Sequence, residues 1–120
     1  MKNISDIKKV DKGWGHELWI ANSNKYCGKL LFFNEGKRCS IHYHRIKDET
    51  FYLQSGKLVL NIWNVDDGLH VEKTMELLPG SSYHLPPGTI HQMVALEDSE
   101  LFEFSTEHFD SDSYRIAKGD

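Results

Sequence analysis

Long hydrophobic runs are absent from this sequence. No apolar stretch approaches the length of about 18 residues from which a membrane-spanning helix is recognised. Residues 1–9 also lack the hydrophobic core that a secretion signal carries. We therefore expect no membrane partner and a cytoplasmic location.

An excess of positive charge is absent as well. Lysine and arginine together number 14 against 18 aspartates and glutamates, which gives a net charge of −4. Binding to nucleic acid needs a clustered basic surface, so we expect no nucleic-acid partner. Cysteine is also scarce: Cys27 and Cys39 are too few for a disulfide framework and fit a reducing compartment.

The sequence does contain a succession of short strand-like runs separated by turn residues. Its 120 residues predict one domain over 1–120, with a core at about 13–108 and peripheral ends. Many short strands favour an all-β sandwich or barrel, and Asp67-Gly68 is a strong hairpin signal. The predicted strands are 17–21, 26–34, 38–44, 50–53, 57–65, 70–77, 82–85, 91–96 and 101–106.

A first motif places three candidate ligands on neighbouring strands. It reads Gly36-(five)-His42-x-His44-(four)-Glu49-(six)-Gly56. Side chains two apart on a strand point to the same face, so His42 and His44 project together, as two imidazoles must to reach one metal ion. The four residues that follow have the length of a hairpin loop and return Glu49 on the next strand.

A second motif supplies a fourth candidate ligand. It reads Gly80-(five)-Pro86-x-Gly88-(two)-His91. Proline fixes φ and glycine accepts a positive φ, so the turn around Pro86 delivers His91 at the start of a strand. Together the two motifs resemble the signature of the cupin superfamily, except at Ala95, where that family usually has asparagine. The resemblance implies a single-domain cupin, a double-stranded β-helix or jelly-roll barrel.

The candidate ligands constrain the chemistry of the site without deciding it. Three imidazoles and one carboxylate suit Mn, Fe, Zn, Ni or Co, and we expect one divalent transition metal per chain, bound by His42, His44, Glu49 and His91. Four protein ligands on an octahedral ion leave two positions open, for two oxygens of a sugar or for dioxygen beside a substrate. The histidines without a comparable arrangement are His16, His70 and His108.

A second resemblance concerns the reaction. The run Trp14-Gly15-His16-Glu17 is similar to the entry of the cupin domain in type II mannose-6-phosphate isomerases, and Pro87-Gly88-Thr89-Ile90-His91 and the acidic segment 110–116 continue the similarity. It implies a sugar-phosphate aldose–ketose isomerase that acts through a metal-stabilised enediolate. The partner would then be a small-molecule substrate, a phosphorylated sugar.

Such an isomerase needs a base that moves a proton between C1 and C2. His84, two residues before Pro86, and Glu103, on the last predicted strand, are the candidates. A buried Glu103 between Phe102 and Phe104 would have a raised pKa. In the alternative, the two phenylalanines face inward and Glu103 is solvated.

A substrate phosphate would need cations at the mouth of the pocket, and Lys37, Arg38 and Arg115 are the candidates. Strand alternation places Arg38 on the face of His42. Each of the three could equally be a surface charge, and Arg115 could pair with neighbouring aspartates. The same alternation turns Cys39 away from the metal and predicts that it is a small buried hydrophobe.

Two other functions stay open. Histidine at position 42, where the isomerase family commonly has glutamine, moves the ligands towards those of Fe- or Ni-dependent cupin dioxygenases. The second alternative function is a non-catalytic module that binds a metal or a small ligand. We also expect a homodimer, because open sheet edges need cover, and the region of Trp14 and Trp19 is a candidate surface for it.

Overall fold

The computed structural model describes residues 6–64 and 70–120, and within them the chain is built from strands and one short 3₁₀ helix. The elements are β1 (Lys8–Lys12), β2 (Gly15–Asn22), β3 (Cys27–Phe33), β4 (Ile41–Tyr43), β5 (Glu49–Ser55), β6 (Leu58–Asn64), β7 (His70–Leu77), β8 (Ser82–Leu85), β9 (Ile90–Ala95), β10 (Ser99–Ser105), the 3₁₀ helix (Asp110–Asp112) and β11 (Tyr114–Ala117). In this described part of the chain, no helix is long and apolar enough for crossing a membrane.

The strands form two antiparallel sheets. One has six strands in the order β1-β2-β3-β10-β5-β8, and the other has five in the order β11-β4-β9-β6-β7. Their inner faces share one hydrophobic core, whose fully buried side chains include Leu53 and Leu101 from the first sheet and Leu58 and Leu60 from the second. The predicted all-β class is therefore confirmed.

Strand alternation decides which side chains face the interior. Along β3 every second residue is buried, which brings Cys27, Lys29, Leu31 and Phe33 inward. Leu31 and Phe33 belong to the hydrophobic core, whereas Lys29 lies towards the other end of the same strand. The inner face of the first sheet thus changes from apolar to charged along its strands, and both parts contribute to the wall of a pocket.

All nine predicted strands overlap observed ones, but the ends of the chain and β4 differ from expectation. Residues 8–12 and 114–117, predicted to be peripheral, form the edge strands β1 and β11. β4 is shorter than predicted, because Arg38 makes only an isolated bridge to Val94 before the regular strand begins. The Asp67-Gly68 turn lies outside the described residues, although β6 and β7 on either side of it pair antiparallel.

Candidate metal centre and its pocket

The four candidate ligands meet inside the barrel. His42 on β4 pairs in register with His91 on β9, and the donor atoms of His42, His44 and His91 lie within 4.8 Å of one another. Glu49 begins β5, and its Oε2 lies 3.6 Å from Nε2 of both His44 and His91. The two sequence motifs, which are far apart in the chain, therefore contribute to one cluster.

Backbone carbonyls fix the orientation of all three imidazoles. Nδ1 of His42 lies 2.9 Å from the carbonyl oxygen of Ser40, and Nδ1 of His91 lies 2.9 Å from that of Thr89. Nδ1 of His44 lies 3.0 Å from the carbonyl oxygen of Asp112. A carbonyl only accepts hydrogen bonds, so each Nδ1 carries the proton and each Nε2 is left with a lone pair for a cation.

Burial keeps these imidazoles neutral. Desolvation is the largest cause for each ring. Together with repulsion from His91, it lowers the pKa of His42 to about 3. It also lowers the pKa of His91 to about 4. Desolvation followed by the nearby Lys47 ammonium lowers the pKa of His44 to about 4. Burial raises the pKa of Glu49, and repulsion from Glu103 adds to the effect. A divalent transition metal fits this donor set, because it takes neutral imidazole nitrogens and offsets the cost of a buried carboxylate.

A cavity of about 790 Å³ opens onto the four side chains. One row of its wall crosses the first sheet through register partners: Trp19 opposite Lys29, Lys29 opposite Glu103, and Glu103 opposite Phe51. In the next row Ser105 of β10 lies opposite Glu49. Glu103 therefore faces the same interior as the candidate ligands.

Lys47 and Glu103 form a buried ion pair in this cavity. Lys47 and Glu103 are 2% and 5% exposed, and Lys47 Nζ donates to Glu103 Oε2 at 2.9 Å and to His108 Nδ1 at 2.7 Å. Burial alone would raise the pKa of Glu103, but the ammonium groups of Lys47 and Lys29 and a hydrogen bond from Ser105 outweigh it and hold the pKa well below its usual range. Glu103 is thus inward and ionised.

A second charged pair lies beside the first. Lys29 Nζ is 3.5 Å from Glu17 Oε1 and stands 4.1 Å from the centre of the Trp19 ring. The Trp19 indole N–H in turn donates to Glu17 Oε1 at 2.8 Å. These polar groups give the cavity several fixed hydrogen-bonding partners for a hydroxyl-rich ligand.

Asp112 ties the loop between β4 and β5 to the C-terminal segment. Its side-chain oxygens accept the backbone N–H groups of Arg45, Ile46 and Lys47 at 2.9 to 3.2 Å, while its carbonyl holds His44. Burial raises the pKa of Asp112, but these N–H groups outweigh that effect and lower it. One residue therefore positions both a candidate ligand and the loop that carries Lys47.

Comparison with known proteins identifies the family of this chain. A family model described as D-lyxose isomerase matches residues 12–113. The chain belongs to the D-lyxose isomerase family. The D-lyxose/D-mannose isomerase of Thermosediminibacter oceani is 28% identical, in a match that covers 80% of this chain and 64% of the relative. The chain thus spans less than two thirds of the length of that family member.

Solved structures confirm the predicted cupin fold. KdgF from Halomonas sp. superposes with a TM-score of 0.72 at 21% identity, over 89% of this chain and 92% of KdgF. The capsular polysaccharide assembling protein CapF from Staphylococcus aureus gives 0.77 at 17% identity, over 93% of this chain and 34% of CapF. Oxalate decarboxylase from Bacillus subtilis gives 0.76 at 16% identity, over 97% of this chain and 33% of the decarboxylase. At such identities these likenesses establish the fold alone.

For this member of the D-lyxose isomerase family, the structure separates the predicted site residues into two groups. His42, His44, Glu49, His91, Glu103 and Arg115 line the cavity. His84 lies elsewhere: it projects from the outer face of β8 with 58% of its side chain exposed, and its Nε2 is 2.5 Å from Asp48 Oδ1. Lys37 and Arg38 are exposed and are not part of the cavity wall.

Irregular backbone before β4 explains why the side chains of Arg38 and Cys39 do not point where strand alternation predicts. Residues 38–40 do not form a regular strand, so Cys39 lines the cavity although it precedes His42 by an odd number of positions. The prediction that Cys39 faces away is therefore wrong, whereas its burial is confirmed at 8% exposure. The prediction that Arg38 shares the face of His42 is wrong for the same reason.

Other expectations also need correction. The raised pKa predicted for a buried Glu103 is wrong, because two lysines surround it. His108, expected outside any site, lines the cavity beside Lys47. Asp112 binds backbone N–H groups of the β4–β5 loop instead of Arg115.

Sequence reasoning missed the two buried lysines of the cavity, Lys29 and Lys47, and only one of them left a signal. Lys29 is in phase with the apolar residues Leu31 and Phe33 along β3, and a charge on the apolar face of an alternating strand indicates an inward polar group. Lys47 lies in a loop between β4 and β5, where no periodicity predicts direction.

Proposed function

We propose that this protein is a metal-dependent aldose–ketose isomerase that acts on a small unphosphorylated aldose of the lyxose or mannose type. The observation that carries the proposal is the buried Lys47–Glu103 pair, which faces the same cavity as the four candidate metal ligands. The family and the name of the relative from Thermosediminibacter oceani support the same class of reaction.

A divalent transition metal held by His42, His44, Glu49 and His91 would polarise the substrate carbonyl and stabilise the negative charge that develops when the neighbouring C–H proton is removed. The cavity wall around that position supplies the rest of the chemistry. Burial excludes water from Glu103 and Lys47, which strengthens their electrostatic contacts with a substrate.

Glu103 is the proposed base that moves the proton between C2 and C1. In the free protein its ionisation is stabilised by Lys47, at 2.9 Å, and by Lys29. A substrate oxygen that takes the hydrogen bond from Lys47 weakens that stabilisation and makes the carboxylate a stronger base when the substrate is in place. Lys47 in turn donates to the substrate oxygen that gains negative charge.

The balance of protein charges in the cavity supports the choice of an unphosphorylated substrate. Lys47 is paired with Glu103 and Lys29 with Glu17, so these two buried cations already have acidic partners. The basic and acidic side chains that line the cavity are equal in number, six of each: Lys8, Lys12, Lys29, Lys47, Arg115 and Lys118 against Asp11, Glu17, Glu49, Glu103, Asp110 and Asp120. Arg115 is the one predicted phosphate-binding residue among them.

The test is ketose formation by protein stripped with a chelator and reloaded with Mn²⁺, Co²⁺, Zn²⁺, Ni²⁺ or Fe²⁺. We expect conversion of D-lyxose or D-mannose by a loaded form and none by the stripped form. A preference for mannose 6-phosphate would overturn the proposal of a free sugar and would favour a phosphorylated substrate. Oxygen consumption without ketose would overturn the isomerase and favour the dioxygenase.

Glu103→Gln tests the proposed base. A general base contributes typically about 10²- to 10⁴-fold to the rate, and we expect kcat to fall by a factor in that range. The matched control is Glu100→Gln on the same strand. Glu100 accepts a hydrogen bond from the Ser55 hydroxyl and does not line the cavity. Equal activity of the two variants, with metal content and melting temperature unchanged, would remove Glu103 from the mechanism.

A further inference from the structure

His108 lies in the cavity wall and has no role in the mechanism proposed above. It belongs to the irregular segment between β10 and the 3₁₀ helix, and its side chain is 10% exposed. Its backbone N–H donates to Asn22 Oδ1 at 2.8 Å, and the Asn22 amide donates to the His108 carbonyl at 3.1 Å. The Trp19 ring meets the imidazole edge to face, with ring centres 4.9 Å apart. Contacts from β2 therefore fix this imidazole, although no strand carries it.

The tautomer of His108 follows from its two hydrogen-bonding neighbours. The Lys47 ammonium has only N–H donors, and its Nζ lies 2.7 Å from His108 Nδ1, so Nδ1 must offer its lone pair. In the neutral ring Nε2 then carries the proton, and it donates to Asp110 Oδ1 at 3.0 Å. Desolvation, followed by the charges of Lys47 and Lys29, lowers the pKa of His108 and favours this neutral form.

This tautomer is the opposite of the one that the candidate metal ligands adopt. His42, His44 and His91 each place a protonated Nδ1 against a backbone carbonyl and leave Nε2 with a lone pair. His108 instead places the lone pair of Nδ1 against an ammonium group. Three imidazoles of the cavity wall thus suit a metal ion, whereas the fourth suits an N–H donor.

Two acceptors fix the direction of the Lys47 ammonium. The group carries three N–H bonds, and Lys47 directs one of them at Glu103 Oε2, at 2.9 Å, and another at His108 Nδ1. Among the residues that the structure describes, these are the acceptors within hydrogen-bonding distance of Nζ. Lys47 lines the cavity, so its third N–H bond is available to an oxygen of a bound sugar.

We infer that His108 is a positioning residue for the isomerisation: its Nδ1 accepts one N–H bond of Lys47 and thereby directs the third at the substrate oxygen that gains negative charge. The inference rests on the proposed function. Without this acceptor, Lys47 keeps its ion pair with Glu103, but the ammonium is free to rotate about its bond to Cε. A donor oriented in advance needs no reorganisation when the charge develops, whereas a misplacement of about 1 Å can cost about 100-fold in rate.

Long-range ¹H–¹⁵N NMR of the protein loaded with Zn²⁺, a diamagnetic ion, measures the tautomer directly. We expect Nδ1 of His108 to give the signal of an unprotonated ring nitrogen and Nε2 that of a protonated one. The two signals are assigned by their loss in His108→Asn. A proton on Nδ1 overturns the inference, whatever the activity of the protein.

Two substitutions separate the acceptor from the bulk of the ring. His108→Leu removes the acceptor, and we expect kcat for ketose formation to fall by about 10- to 100-fold. KM should change little, because the contact strengthens only as charge develops. His108→Asn keeps an oxygen at the place of Nδ1, since Asn Oδ1 and His Nδ1 are both bonded to Cγ, and should recover most of the lost rate. His16→Leu is the matched control: His16 stacks on Phe32 and does not line the cavity.

Metal content and melting curves accompany the kinetics of each variant. Equal kcat in the wild-type protein and His108→Leu overturns the role of His108 and leaves the proposed function standing. Equal losses in His108→Leu and His108→Asn, with metal content and folding unchanged, also overturn it, because the acceptor would then make no difference. Absence of ketose from the wild-type protein with every metal overturns the proposed function and the role of His108 with it. The NMR measurement decides the tautomer even where His108→Leu does not fold.

Discussion

Backbone carbonyls hold the three candidate metal-binding histidines in the tautomer that a cation requires. For His42 and His91 the carbonyl belongs to the residue two positions earlier, Ser40 and Thr89, so the backbone that leads into each strand orients the ring. Local backbone thus orients His42 and His91, whereas the distant carbonyl of Asp112 orients His44. Hydrogen bonds that orient a ligating histidine contribute to metal affinity although they do not touch the ion.

Replacing His42 and His44 together by alanine should abolish metal binding and leave the barrel folded. Both rings face the cavity and neither belongs to the hydrophobic core, so their loss removes donors without opening the core. The check is elemental analysis together with a melting curve, with His16→Ala as the control that keeps its metal. Metal retained at one equivalent by the double variant would show that the ion binds elsewhere.

Asp112→Ala should weaken metal binding and lower stability together. The substitution leaves the N–H groups of Arg45, Ile46 and Lys47 without their acceptor, at a cost of about 2–4 kcal/mol. Loss of such an outer contact typically reduces metal affinity by about 10- to 100-fold. Titration calorimetry and urea unfolding provide the two measurements. Asp110→Ala, whose parent side chain is exposed, is the control, and an equal effect in both variants would argue against a special role for Asp112.

At the scale of elements, alternation predicted that His42 and His44 share a face, and both rings line the cavity. It left the direction of Glu103 on β10 open, and the motif spacing returned Glu49 on the strand after the loop. Alternation failed at 38–40, where a single bridge replaces a continuous ladder, and at Lys47, which lies in a loop. Direction in a loop is fixed by distant partners, here Asp112 and Glu103, and no local pattern encodes them.

The pairing of β2 with β3 depends on a glycine at the start of β2. Gly15 has φ of 152°, and a Cβ there would lie 1.8 Å from the Phe32 carbonyl oxygen. We expect Gly15→Ala to destabilise the protein by more than about 2 kcal/mol, because the backbone must both change conformation and move apart. Gly28→Ala is the control, since nothing lies within 4 Å of its added Cβ. Chemical unfolding compares them, and equal stability would mean that β2 can shift without cost.

For the whole molecule, the histidine pKa values predict how the stability of the metal-free protein depends on pH. His42, His44 and His91 have pKa values of about 3 to 4 when folded against 6.5 when unfolded, so below pH 6.5 the unfolded chain binds more protons and stability falls with acidification. Glu49 acts in the opposite sense above its ordinary pKa of 4.5, because its pKa is raised on folding. Between pH 4.5 and 6.5 the three histidines outweigh Glu49, so the stability of the metal-free protein falls as the pH is lowered.

Above pH 6.5 the balance between these groups reverses. The three histidines are neutral in both states there, and the folded chain still holds the proton of Glu49, so the stability of the metal-free protein should decline as pH rises. Melting temperature measured against pH should therefore pass through a maximum near pH 6.5. A bound cation keeps Glu49 ionised, so the alkaline decline should disappear in the loaded protein. A flat profile without metal would contradict the burial of these groups.

Metal should also raise the melting temperature itself. Any ion that binds the folded chain alone stabilises it, by about 2.7 kcal/mol at a free concentration 100 times the dissociation constant. A melting curve with and without chelator measures this, and the His42 and His44 double variant should show no difference. Equal curves for the wild-type protein would argue against a metal site built into the fold.

The position of Asp112 makes metal occupancy and local chain order parts of one equilibrium. Its carbonyl orients His44, and its carboxylate closes the loop that precedes Glu49, so opening of the segment around the 3₁₀ helix releases one ligand and loosens the approach to another. An ion in the site must then slow hydrogen–deuterium exchange at the amides of Arg45, Ile46 and Lys47, which do not touch it. Those three amides would report on the metal from outside its coordination sphere.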